Sequence, residues 1–184
     1  MVIKKAIIFL SLLTVINTSL RAQVYYTKNG KISFFSKTSL EDISADNNQV
    51  LSVLNVSTGA LQFSLLNNAF HFPKAKMEDD FNENYMESDK YAKSTFKGTI
   101  TDVSSFSALK DGSYQVNVKG DLTIHGVSKN ITAPGTITIK DGKISATSKF
   151  RVLLKDYKIG IPTIVTNKIS ESIEITVNCN YEKK

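Results

Sequence analysis

From residue 110 onward the chain alternates apolar and polar side chains with a period of two. Tyr114, Val116, Val118, Leu122 and Ile124 share one parity, while Gln115, Asn117, Lys119, Asp121 and Thr123 take the other. Ile144, Ala146, Ser148, Phe150, Val152 and Leu154 repeat the pattern, and so do Ile173, Ile175, Val177, Cys179 and Tyr181. Leu61, Phe63 and Leu65 form an earlier, shorter run. Successive side chains of a strand point to opposite faces, so each run predicts a strand with one buried face. Antiparallel sheets show this one-sided burial. Asn29-Gly30, Asp111-Gly112 and Asp141-Gly142 punctuate the runs, and Thr58-Gly59 is a weaker fourth pair. Such pairs supply the positive φ angles of tight hairpins. Evenly spaced strands joined by hairpins predict a barrel or a sandwich.

One stretch follows another period. Between Lys74 and Asp89, Met77, Phe81 and Tyr85 recur every fourth residue among Glu78, Asp79, Asp80, Glu83 and Glu87. That spacing predicts a short helix of two to four turns with an apolar stripe and an acidic face. Pro73 stands just before it, where proline is tolerated.

The amino terminus reads as an address. Lys4 and Lys5 precede an apolar run from Ala6 to Ile16 interrupted only by Ser11 and Thr14, and Ala22 is a small residue ahead of Gln23. A basic start, a short apolar core and a small residue before the cut match a secretory signal peptide. The run is shorter than the ~20 residues of a membrane-spanning helix. Residues 1–22 are therefore expected to be a signal peptide and residues 23–184 one barrel domain, periplasmic or secreted. No cysteine near the junction offers a lipid anchor. Without its leader the net charge of +6 falls to +3, with 20 basic and 17 acidic residues. A balance so close to even does not point to nucleic acid.

Catalytic chemistry finds little material. The chain has 1 Cys, 2 His and no Trp. Cys179 has the inward parity of its strand and reads as core. His71, between Phe70 and Phe72, is expected to face solvent while they face inward, and His125-Gly126 reads as a turn. A through-space pairing of His125 with Asp121 is the remaining enzymatic arrangement. No phosphate loop, nucleophile elbow or metal-ligand spacing appears, so neither an enzyme nor a cofactor or metal is expected.

The segment Gly120-Asp121-Leu122-Thr123-Ile124-His125-Gly126-Val127-Ser128-Lys129 resembles the signature of the YceI-like family of periplasmic lipid- and polyisoprenoid-binding proteins. Ala45 to Asn48, Val56 to Gly59, Ser94 to Gly98 and Phe150 to Pro162 resemble further family segments in the same order. The sequence departs from that pattern at Ser36-Lys37-Thr38, where a histidine is common, and at Ala92, which replaces a proline after Tyr91. The resemblance implies an all-β, eight-stranded, lipocalin-like antiparallel barrel holding an isoprenoid-like or other long-chain amphiphile. Inward parity places Phe34, Phe63, Val118, Leu122, Ile124, Phe150 and Val152 inside such a barrel. Met77, Phe81 and Tyr85 would close one end, with room for tail and polar head together. The alternative is a barrel filled by its own side chains that recruits a protein partner.

Overall fold

A computed structural model describes residues 23–184. The expected signal peptide, residues 1–22, lies outside the described residues. Eight antiparallel strands form a closed barrel in simple sequential order, each paired with the next. They are β1 (Val24–Lys37), β2 (Asp42–Asn55), β3 (Ala60–Leu66), β4 (Lys93–Ile100), β5 (Gly112–Ile124), β6 (Val127–Lys140), β7 (Lys143–Leu153) and β8 (Ser172–Lys183). The last strand closes on the first, with Phe34 opposite Ile175 and Tyr25 opposite Lys183. Closure removes the unpaired edges an open sheet would expose. The alternating runs fold as the periodicity predicts, with Ile173, Val177, Cys179 and Tyr181 of β8 all buried.

Two of the turn pairs do other work. Asp141 and Gly142 adopt φ of 52° and 72° and join β6 to β7 as expected. Asn29-Gly30, by contrast, lies within β1, where the register to β2 shifts on either side of Gly30. A Cβ on Gly30 would sit 2.7 Å from Cys179 Sγ, so this glycine makes room for a neighbour and turns no corner. Asp111-Gly112 only enters β5, at the end of a longer connection that carries a short 3-10 turn at Val103–Ser105. Phe106 of that connection is fully buried in the cluster with Leu54, Val56 and Ile100, plugging one end of the barrel.

The other end carries the covering segments. Between β3 and β4, α1 (Ala75–Asp80) continues into a π-helical turn, Phe81–Tyr85, shorter than the span from Lys74 to Asp89. The Met86 N–H donates to the Phe81 carbonyl at 2.8 Å, closing the wider turn. Beyond β7, a 3-10 turn (Leu154–Tyr157) packs against β6 and β7. It sits where the wall is least stitched. β6 pairs with β5 from Val127 to Ile139, but its ladder to β7 runs only from Lys140 back to Gly135. The next residue, Pro134, has no N–H to continue a ladder.

Candidate functional site: an apolar cavity under a helical cap

Inside the barrel is a cavity of about 430 Å³. All ten positions singled out from the sequence border it: Phe34, Phe63, Met77, Phe81, Tyr85, Val118, Leu122, Ile124, Phe150 and Val152. The strand residues reach it through parity, and the helical residues through the stripe on α1 and its π-turn. Phe70, Phe72, Phe96, Tyr157 and Ile159 also border the cavity and were missed. Phe70 and Phe72 were readable as inward neighbours of His71. The others lie in segments whose pairing depends on tertiary contacts.

Aromatic rings dominate the capped end. Phe34 stacks on Phe81 with centroids 5.5 Å apart and meets Phe70 at 5.4 Å and Phe72 at 5.6 Å. Phe81 in turn contacts Phe72 at 5.1 Å and Phe70 at 5.6 Å. The backbone makes this cluster possible. His71 pairs with Asp46 through two hydrogen bonds of 2.9 and 3.1 Å, adding a single rung to β2. In an extended segment its side chain then points outward, while Phe70 and Phe72 point in. Four rings in stacked, tilted and edge-on contact gain energy beyond their buried area.

Polar groups at the cavity are few and mostly engaged. Glu41 receives Lys74 at 3.2 Å and Asp80 receives Lys76 at 3.1 Å, so both carboxylates at the mouth are paired with lysines. Ser36 Oγ accepts the Ser170 N–H at 2.9 Å, joining the end of β1 to the loop before β8. The buried Asn67 accepts from Ser94 at 2.8 Å and donates to the Tyr91 carbonyl. Burial and the neighbouring Asp80 push the Tyr85 phenol above its ordinary range, so it remains a neutral hydroxyl at the rim. Lys168 borders the cavity and makes no ion pair among the described residues.

His125 is placed in a hairpin as expected, at φ 49°, but its ring does not pair with Asp121. It contacts Glu87 and the Tyr157 carbonyl, whereas Asp121 accepts from Asn130 at 2.8 Å. Among the described residues no three His, Cys, Asp or Glu side chains converge on a metal-binding geometry. Burial pushes the Cys179 thiol up to about 12, the state of a core side chain.

The family model described as the YceI-like domain matches residues 16–181. The chain belongs to the YceI-like family. A comparison with curated protein sequences finds no match. Solved structures share this YceI-like fold at low identity. A polyisoprenoid binding domain from Saccharophagus degradans, described as implicated in plant cell wall breakdown, superposes with a TM-score of 0.77 at 16% identity, covering 89% of this chain and 100% of that one. Burkholderia cenocepacia BcnA gives 0.66 at 15% identity, over 83% and 96% of the two chains. The Campylobacter jejuni YCEI protein gives 0.54 at 18% identity, over 81% and 85%. Among the described residues no helix is long and apolar enough to cross a membrane.

Proposed function

We propose that this protein is an exported carrier that holds one isoprenoid-like or other long-chain amphiphile, tail in the barrel and head at the mouth, without a catalytic step. The observation that carries this reading is the apolar cavity of about 430 Å³ ending beneath an aromatic cap. Membership of the YceI-like family supports it, and so does the polyisoprenoid-binding description of a structural neighbour. Each buried CH₂ gains about 0.8 kcal/mol, so a long tail offsets the cost of immobilising the ligand without any covalent chemistry. The cavity favours this reading over the filled-barrel alternative, which requires a solid interior.

Native mass spectrometry of protein purified from its own envelope, followed by organic extraction, tests the reading. One bound lipid per chain, and a mature mass beginning at Gln23, are the expected results. Folded protein that carries no lipid and takes none from an envelope extract would overturn the carrier role. A full-length chain retained in the cytoplasm would overturn its export.

A further inference from the structure

Two glycines face each other in the barrel wall. Gly98 of β4 pairs with Gly120 of β5, and both take inward positions, between Phe96 and Ile100 on one strand and Val118 and Leu122 on the other. A Cβ built on Gly98 would lie 2.6 Å from the Phe96 Cζ, and one built on Gly120 would lie 2.8 Å from it. Each would also strike the backbone of the opposite strand. The absent side chains leave a niche of bare backbone, and the tip of the Phe96 ring lies in it. Phe63, opposite Phe96 on β3, meets the ring edge-on with centroids 6.4 Å apart. Phe96 also borders the cavity.

The volume supplies a ruler. An apolar cavity of about 150 Å³ accommodates benzene, or about 25 Å³ per carbon. By that measure the 430 Å³ cavity encloses about 17 tail carbons. Resting on the binding reading above, we propose that the cavity is gauged for a tail of about fifteen to eighteen carbons, with Phe96, stowed in the Gly98–Gly120 niche, setting the limit. Carbons beyond that number would extend through the mouth and gain nothing from the interior. The rings of Phe34, Phe70, Phe72 and Phe81 pack on one another at the capped end, so trimming one of them opens the entrance. Removing Phe96 instead joins an internal niche to the cavity, because no side chain on either glycine can fill it. The space released is that of a benzene ring, or about six tail carbons.

The test uses n-alcohols of ten to twenty-six carbons, delivered from cyclodextrin and read by native mass spectrometry on the mature protein. For the unaltered protein, affinity should rise about fourfold per added carbon and level off near seventeen. Phe96→Ala should move that plateau up by about six carbons, and Phe96→Leu, which retains a branched apolar side chain, by about three. Saturating benzene should return the Phe96→Ala plateau to its original place by refilling the niche. Folded variants that keep the original plateau would overturn the gauge while leaving the carrier reading intact. So would unaltered protein whose affinity keeps climbing beyond twenty carbons. Uptake of benzene by Phe96→Ala, with no alcohol bound by any of the proteins, would overturn the carrier reading and the gauge together. If Phe96→Ala does not fold, Phe96→Leu decides the same question.

Discussion

His125 Nε2 lies 2.7 Å from the Glu87 carboxylate while its Nδ1 lies 3.2 Å from the Tyr157 carbonyl, so one ring joins the two segments that cover the cavity. The imidazole is only 10% exposed. The Tyr91 ring packs against it edge-on with centroids 4.4 Å apart. Both partners are oxygen acceptors. His125→Phe should keep the aromatic contact, lose the polar ones and cost about 1–3 kcal/mol. Amide exchange is the decisive measurement: it should quicken in both 86–91 and 154–159 while β1 and β8 stay protected. Acceleration in one segment alone would show that His125 does not couple them.

Acid should weaken the same region. The hydrogen bond from His125, assisted by Lys90, holds the Glu87 carboxyl below the usual carboxylate range. Lys149, with Arg151, does the same for Glu174. A lowered native value means that the unfolded chain takes up the proton first, so this stabilisation is present above the ordinary carboxylate range and is lost as pH falls through the lowered values. Both carboxylates are exposed enough for solvent to screen them, which keeps the effect small. Thermal unfolding followed from pH 6 to 2 should fall less steeply in Glu87→Gln with Glu174→Gln than in the unaltered protein.

Gly126 and Gly142 separate strain from collision. Their φ angles are 71° and 72°, but a Cβ on Gly126 would lie 2.5 Å from Tyr91 Cε1, whereas one on Gly142 meets nothing within 4 Å. Gly142→Ala should cost about 1 kcal/mol for the backbone alone, and Gly126→Ala clearly more. Denaturant midpoints of the two variants measure the difference. Equal losses would mean that Tyr91 moves aside freely.

Phe81 is half-buried at the cavity, so Phe81→Ala should cost less than the 3–5 kcal/mol of a fully enclosed ring, about 1–2 kcal/mol. The larger consequence should be weaker retention of a bound tail, seen as faster release of lipid to vesicles. A loss of full core magnitude would instead make the ring a structural pillar.

Cys179 should behave as core. With its thiol pushed up to about 12 and no exposed surface, it should resist a disulfide reagent at pH 8 until denaturant is added. Rapid labelling of the native protein would show that the barrel opens near Gly30.

The strands and the inward positions were legible in the sequence because period-two alternation fixes which side of a wall each residue occupies. Leu122 and Phe150 could be placed by counting alone. Asn29-Gly30 and Asp141-Gly142 look alike in sequence, yet one is an internal bulge and the other a hairpin, because what distinguishes them is Cys179 on a strand nearly the whole chain away. The bond between Glu87 and His125 bridges 38 residues and follows from the pairing of β4 with β5, which no local pattern encodes. Phe96 was readable as a strand residue, but its place beside Gly98 and Gly120 emerges only when β4 and β5 come together.

The pairing of β1 with β8 also governs when this molecule can exist at all. The final seam joins residues from the two ends of the described chain, Tyr26 with Glu182 and Phe34 with Ile175. Contacts so distant in sequence make folding slow and late, since the loop they close spans nearly everything else. A chain still emerging from a ribosome or a translocation pore holds up to seven strands with both edges bare, and lacks the β8 side chains that wall the cavity. It is held open by its own topology until the last strand arrives, and any lipid must wait for a finished barrel.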